Sequence, residues 1–185
     1  MIRCESMVYV FLADGFEEIE ALSVVDILRR GEIGVKTVSI TDNKTVMGAH
    51  LIPVIADIDF NEISDDIELI VLPGGMPGTT NLLKCNNLCT LISDENKKGT
   101  LISAICAAPM ILGNLGVLKG KTATCYPSFE KYLEGATIGD KSVCIDGNVI
   151  TSRGPGTASE FAFTLTEVLK GKETKDKLYG DMLYA

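Results

Sequence analysis

Short apolar segments alternate with amphipathic ones along this chain, and this alternation is the feature that most constrains its fold. Buried strands are predicted at residues 7–12, 35–40, 67–75 and 100–105, with a glycine turn at the end of the third. Helices are predicted at 17–30, 79–99, 107–116 and 157–171, and hairpins at 46–54 and 142–152. Alternating helices and fully apolar strands predict an α/β fold with a mainly parallel sheet and helices on both faces.

The length of 185 residues predicts a single domain. Residues 1–6 are expected to form an N-terminal tail, with Met7 as an alternative start, and 172–185 a polar C-terminal extension. A net charge of −8 disfavours nucleic acid and anionic membranes as partners, and no apolar run reaches the ~20 residues of a membrane span. Six scattered cysteines and no secretory signal favour the cytoplasm.

Three turns of the predicted sheet carry chemically useful groups. They are "ADGFEEIE" (13–20) after the first strand, "LPGGMPG" (72–78) after the third, and "ICAAP" (105–109) after the fourth. Ligands of parallel α/β sheets bind beyond the C-terminal ends of the strands, where these turns should meet. The first turn brings carboxylates, the second backbone N–H groups and the third a thiol. Together they make a candidate proton acceptor, oxyanion site and nucleophile.

Position alone leaves two interpretations of Cys106 open. It is either a small buried apolar residue, as free cysteine often is, or a nucleophile on a sharp strand-to-helix turn. Small neighbours at Ala104, Ala107 and Ala108 would let such a turn close. The helix that follows would then lower the pKa of the thiol.

Four motifs together resemble one family. In chain order they are "ADGFEEIE", "LPGG", "AICAAP" and "TSRGPGT", and the resemblance extends from about residue 7 to 171. They are similar to the ThiJ/PfpI (class I glutamine amidotransferase-like) superfamily, in its branch of small Parkinson's-associated deglycases and YajL-like proteins. The resemblance implies a flavodoxin-like three-layer sandwich, a homodimer, and an oxidation-sensitive cysteine at the turn.

The same resemblance implies roles for individual residues. Cys106 would be the nucleophile and Glu20 the acid bonded to it, sharing one proton as a coupled pair. Backbone N–H groups would come from Gly74, Gly75 and Ala107. Further candidates are Tyr126, Pro127, Gly154 and Pro155 in the pocket, and Ile19, Arg30 and His50 at the dimer contact or pocket. Glu17 stays open between the pocket and a solvated helix start, and Glu18 is expected to be solvated.

The resemblance and the residues favour a cofactor-free glyoxalase or deglycase acting on methylglyoxal, glyoxal or early glycation adducts. The alternative is a non-catalytic oxidative-stress sensor or redox-regulated chaperone that uses oxidation of Cys106. A protease is disfavoured because Ala107 follows the cysteine and the single histidine, His50, lies in a hairpin. A kinase is disfavoured because "GVLKGKT" (116–122) is one residue short of a P-loop. No metal is expected, since Cys85 and Cys89 make only half a zinc site.

Overall fold

The computed structural model of the chain describes residues 6–64 and 66–184. Most of the predicted tail at 1–6, with Cys4, lies outside the described residues. The strands are β1 (Met7–Leu12), β2 (Val35–Ser39), β3 (Thr45–Met47), β4 (Pro53–Ile55), β5 (Ile58–Asp59), β6 (Ile67–Leu72), β7 (Leu101–Ile105), β8 (Thr122–Ala123), β9 (Thr137–Ile138), β10 (Val143–Asp146) and β11 (Val149–Ser152). The helices are α1 (Glu18–Arg30), α2 (Gly78–Lys84), α3 (Asn86–Lys98), α4 (Pro109–Asn114), α5 (Ala158–Lys170) and α6 (Lys172–Asp181).

A seven-stranded sheet in the order β10-β11-β7-β6-β1-β2-β5 forms the middle layer. All neighbouring strands in it run parallel except β10 and β11, which form the predicted hairpin. Successive residues of β1 point to opposite faces. Val10 packs in the core that α1 and α5 share, and Phe11 packs in the core beneath α2, α3 and α4. The predicted α/β sandwich with a mainly parallel sheet is therefore confirmed.

Two predicted segments differ from the structure. The single helix expected over 79–99 is two helices, because Cys85 adopts an extended conformation (φ −78°, ψ 96°) between α2 and α3. Two asparagines follow Cys85, and asparagine competes with helical hydrogen bonding and favours helix ends. The polar extension from residue 172 contains α6, which packs on α5 through the buried Leu178 and a Phe163–Tyr179 ring contact at 5.1 Å.

Three adjacent strands decide where the candidate site forms. β6 pairs with β1 on one side and with β7 on the other, all in the same direction. Their C-terminal ends therefore bring the turns at 13–20, 72–78 and 105–109 to one edge of the sheet. Within the described part of the chain, no helix is long and apolar enough to cross a membrane.

Candidate active site

Cys106 occupies a strained turn directly after β7. Its φ of +64° lies in the left-handed region that residues with a Cβ rarely adopt. The turn is held from both sides. The Cys106 N–H donates to the carbonyl of Ser152 (3.0 Å), and the Cys106 carbonyl accepts from the Tyr126 N–H (2.8 Å). The side chain is thereby fixed at the edge of the sheet with 9% of its surface exposed.

Glu20 lies in the first turn of α1, fully buried beside this thiol. Its Oε2 accepts a hydrogen bond from the Gly74 N–H at 2.7 Å. Oε1 has no hydrogen-bond partner among the described residues, and the Cys106 thiol is the side-chain group that interacts with the carboxyl. A Cβ on Gly74 would lie 2.7 Å from the Cβ of Cys106 and 2.8 Å from Oε2 of Glu20. Glycine is therefore what allows the acid and the thiol to meet.

Burial dominates the titration of this pair. It raises the pKa of Glu20 to about 7, against the hydrogen bonds from Cys106 and Gly74. Burial and then the Glu20 charge raise the pKa of the Cys106 thiol to about 12, against backbone N–H groups of Gly75 and Ala107. The expected lowering of the thiol pKa by a helix N-terminus is not found, because α4 begins only at Pro109 and burial outweighs the N–H groups. Between these two values the pair holds one proton.

The three backbone N–H groups predicted for the site divide into two kinds. That of Gly74 is taken by the Glu20 carboxylate. Those of Gly75 and Ala107 interact with the Cys106 sulfur and favour its thiolate form. Of these three N–H groups, only the last two therefore interact with the Cys106 sulfur.

Glu17 is buried and caps α1. Its Oε2 accepts from the backbone N–H of Glu20 at 2.8 Å, so it fixes the turn that carries the candidate acid. Its charge also adds to the rise in the pKa of Glu20. Sequence reasoning left Glu17 open because serine, threonine, aspartate and asparagine, rather than glutamate, usually cap helices.

The expectation that Glu18 is solvated is wrong. The side chain is buried because the turn after β3 folds over it and His50 covers it. Glu18 accepts from the His50 backbone N–H (2.7 Å) and pairs with His50 Nδ1 (2.8 Å). Burial acts to raise the pKa of Glu18, but the bonds from His50 hold it below its usual value, and Glu18 in turn raises the pKa of His50. This contact joins residues far apart in sequence, so no local pattern could have predicted it.

One group of side chains within the described residues has the spacing of a metal site. Ligand atoms of Glu17, Glu18 and His50 all lie within 4.8 Å of one another. Their carboxylate and imidazole groups could hold a divalent ion, although structural zinc takes four protein ligands. Glu17 already caps α1 and Glu18 is already paired with His50.

The structure places the remaining predicted residues in two regions. Tyr126, Pro127, Gly154 and Pro155 line a shallow cavity of about 240 Å³. The Tyr126 backbone connects that cavity to the Cys106 turn. Ile19 is 55% exposed beside the buried Glu20. Arg30 lies ten residues after Glu20 on α1, which places it about 15 Å from Glu20 at 1.5 Å per residue. It pairs there with Asp26 at 2.9 Å. Arg30 is therefore remote from the Cys106 of its own chain.

Known proteins resemble this chain over nearly its whole length. Residues 6–168 match the DJ-1/PfpI family. The chain belongs to the DJ-1/PfpI family. It is 41% identical over 179 residues to Protein DJ-1 homolog B of Arabidopsis thaliana, covering 95% of this chain but only 41% of that longer protein. It is 37% identical over 165 residues to a Caenorhabditis elegans protein named glutathione-independent glyoxalase DJR-1.2, covering 88% and 87% of the two chains.

A solved DJ-1 structure has the same fold. Oxidized Toxoplasma gondii DJ-1 superposes with a TM-score of 0.91 at 36% identity, covering 97% of this chain and 99% of the other. Membership of the DJ-1/PfpI family and the flavodoxin-like α/β fold, both expected from four short motifs, are thus confirmed.

Proposed function

We propose that this chain is a cysteine-dependent, cofactor-free glyoxalase that converts methylglyoxal or glyoxal to the corresponding hydroxy acid, with related deglycase activity on early glycation adducts. The observation that carries the proposal is the buried pair of Cys106 and Glu20, a thiol beside an acid whose pKa is raised to about 7. The name of the C. elegans relative supports it. An acid with that pKa can exchange protons in both directions near neutral pH.

The chemistry needs no oxidant or cofactor. As the Cys106 sulfur adds to the aldehyde carbon, the Glu20 carboxylate takes the thiol proton and passes it to the former carbonyl oxygen, which becomes the hydroxyl of a hemithioacetal. Glu20 then carries a proton from the former aldehyde carbon to its neighbour, and the hydroxyl proton of the hemithioacetal moves to the neighbouring carbonyl oxygen, so the first carbon is oxidised and the second reduced. The resulting thioester is hydrolysed by water, which releases the hydroxy acid and restores the thiol.

The test is turnover of methylglyoxal by the purified protein without glutathione, followed as lactate formed. Cys106→Ser should reduce turnover to the uncatalysed background. Glu20→Gln should reduce it by about 10²-fold or more, the usual contribution of a positioned general base. The buried Cys144, in β10, provides the matched control, and Cys144→Ser should leave turnover unchanged. Lactate formation by Cys106→Ser at the wild-type rate would refute the proposal.

A redox sensor or redox-regulated chaperone is the second candidate, and the proximity of Glu20 to the thiol favours it. A protonated Glu20 could donate a hydrogen bond to a sulfinic acid formed on Cys106 by peroxide. A solved relative has also been described in an oxidized form. If this is the main role, peroxide treatment should create suppression of client aggregation that Cys106→Ser lacks, while methylglyoxal turnover is negligible in the reduced protein.

The homodimer is proposed on an exposed apolar surface. Ile19 on α1 is 55% exposed, and Leu51 and Ile55 in the β3–β4 region are 79% and 76% exposed. The turn just before α1 and the loop between β3 and β4 are joined by the hydrogen bond from the Ala49 N–H to the Phe16 carbonyl (2.8 Å). These side chains therefore belong to one region. Light scattering should give twice the 19.8 kDa chain mass, and Leu51→Glu should give the single mass. If the wild-type protein is a monomer in this experiment, the proposed homodimer is refuted.

A further inference from the structure

A second cavity, separate from the Cys106 site, lies beyond the C-terminal ends of β1 and β2. Its volume is about 400 Å³, and neither Cys106 nor Glu20 lines it. The polar part of its wall comes from three places: the turn after β1, the segment between β2 and β3, and the end of α2. The residues of this polar wall that bear on ligand binding are Asp14, Asn43, Thr45, Asn81, Lys84 and Cys85. Ile40 and Val46 contribute an apolar surface.

Two opposite charges on this wall do not pair with each other. Asp14 uses Oδ1 to accept from the Met47 N–H (2.8 Å), which leaves Oδ2 available. Lys84, the last residue of α2, makes neither an ion pair nor a hydrogen bond within the described residues. Both side chains are exposed at the wall of the same cavity, so both charges can reach a ligand bound there. A ligand that carries both signs of charge would satisfy both groups at once.

The wall around these charges is held in place by its own hydrogen bonds. The Ser39 hydroxyl donates to the Asn43 carbonyl (2.7 Å), and Asn43 Oδ1 accepts from the Thr45 N–H (3.0 Å). Asn81 Nδ2 donates to the Asp14 carbonyl (2.8 Å). These bonds leave the Asn43 amide NH₂ and the Asn81 amide oxygen without protein partners among the described residues. The cavity thus offers preformed donors and acceptors beside the two charges.

We propose that this cavity binds a free α-amino acid with a short aliphatic side chain. Asp14 and the Asn81 oxygen receive the ligand ammonium, and Lys84 and the Asn43 amide donate to the ligand carboxylate. The apolar surface of Ile40 and Val46 accepts the side chain. A ligand with only a negative or only a positive charge would leave either Asp14 or Lys84 without a partner. A single lysine also supplies too little positive charge to bind the phosphates of a nucleotide. This site is independent of the glyoxalase proposed above.

Binding of L-alanine, measured by calorimetry on the full chain, tests the proposal. L-Alaninamide lacks the carboxylate and N-acetyl-L-alanine lacks the ammonium, so each should bind at least about tenfold more weakly than L-alanine. Asp14→Asn keeps the acceptor for the Met47 N–H, and Lys84→Met keeps the aliphatic stem. Each should weaken L-alanine binding about tenfold, since each removes one charged partner. Lys119→Met, near the opposite edge of the sheet, is the control and should bind as wild type.

The Cys85 thiol, which lines the cavity, gives a second measurement. L-Alanine should slow alkylation of Cys85 by iodoacetamide and leave alkylation of Cys106 unchanged. Cys106→Ser should bind L-alanine with wild-type affinity, which separates this site from the proposed activity. The proposal is overturned if L-alanine does not bind saturably, if alaninamide or N-acetylalanine binds equally well, or if both charge variants retain wild-type affinity.

Discussion

Replacing Glu20 with glutamine should change how the stability of the protein depends on pH. Glutamine has the size of glutamate, and its amide oxygen can still accept from the Gly74 N–H. What it removes is the titration of a carboxyl whose pKa burial raises from 4.5 to about 7. The difference between the two proteins therefore isolates the cost of ionising Glu20 inside the fold.

The sign and size of the effect follow from the two pKa values. Below about pH 4.5 Glu20 is protonated in both the folded and the unfolded chain. Between 4.5 and about 7 the unfolded chain releases this proton while the folded chain keeps it, so the free energy of unfolding falls as pH rises. The full shift corresponds to about 3 kcal/mol. Relative to Glu20→Gln, the wild type should thus lose about 3 kcal/mol of stability between pH 4.5 and pH 8.

The assay is urea denaturation of both proteins at intervals across this pH range. Other groups titrate alike in both, so only the difference between the two curves is interpreted. Glu134→Gln, a change at an exposed glutamate, is the control, and its curve should run parallel to that of the wild type. If the Glu20→Gln curve is also parallel, Glu20 does not carry a raised pKa, and the proton-sharing pair with Cys106 must be abandoned.

Three further outcomes are expected. Gly74→Ala should lower the unfolding free energy by about 1–3 kcal/mol and abolish methylglyoxal turnover, because the added Cβ would lie 2.7 Å from the Cβ of Cys106. Unchanged turnover would contradict the close approach of Gly74 to Cys106. Under mild peroxide, mass spectrometry should find sulfinic acid on Cys106 before the more exposed Cys85, because the Glu20 carboxylate can take the thiol proton as the Cys106 sulfur attacks peroxide. The reverse order would mean that exposure decides which cysteine is oxidised. His50→Ala should lower the melting temperature by leaving Glu18 buried without its charged partner, and this decrease should become smaller as pH rises through the raised pKa of His50. A decrease that does not depend on pH would exclude the ion pair as its cause.

The order of strands and helices could be predicted because it depends on local patterns. Apolar strands that alternate with amphipathic helices can bury their surfaces only as a covered, mainly parallel sheet. The same pattern placed Cys106 at the strand-to-helix turn after β7, and its φ of +64° agrees with the strained turn expected there. The break at Cys85 was missed because apolar residues continue at helical spacing from α2 into α3, and the two asparagines after Cys85 favour a helix end without requiring one.

Local patterns of residues were enough to predict the sheet, the three turns at its edge and the thiol and acid that they carry. The electrostatics of the site depend on contacts that form only in the folded chain. Glu17, Glu18 and Glu20 look alike in the sequence, yet one caps the helix, one pairs with His50 and one faces the thiol with a pKa raised to about 7. Burial and long-range contacts set these differences, because the energy of a charge depends on which groups and how much water surround it in the folded chain.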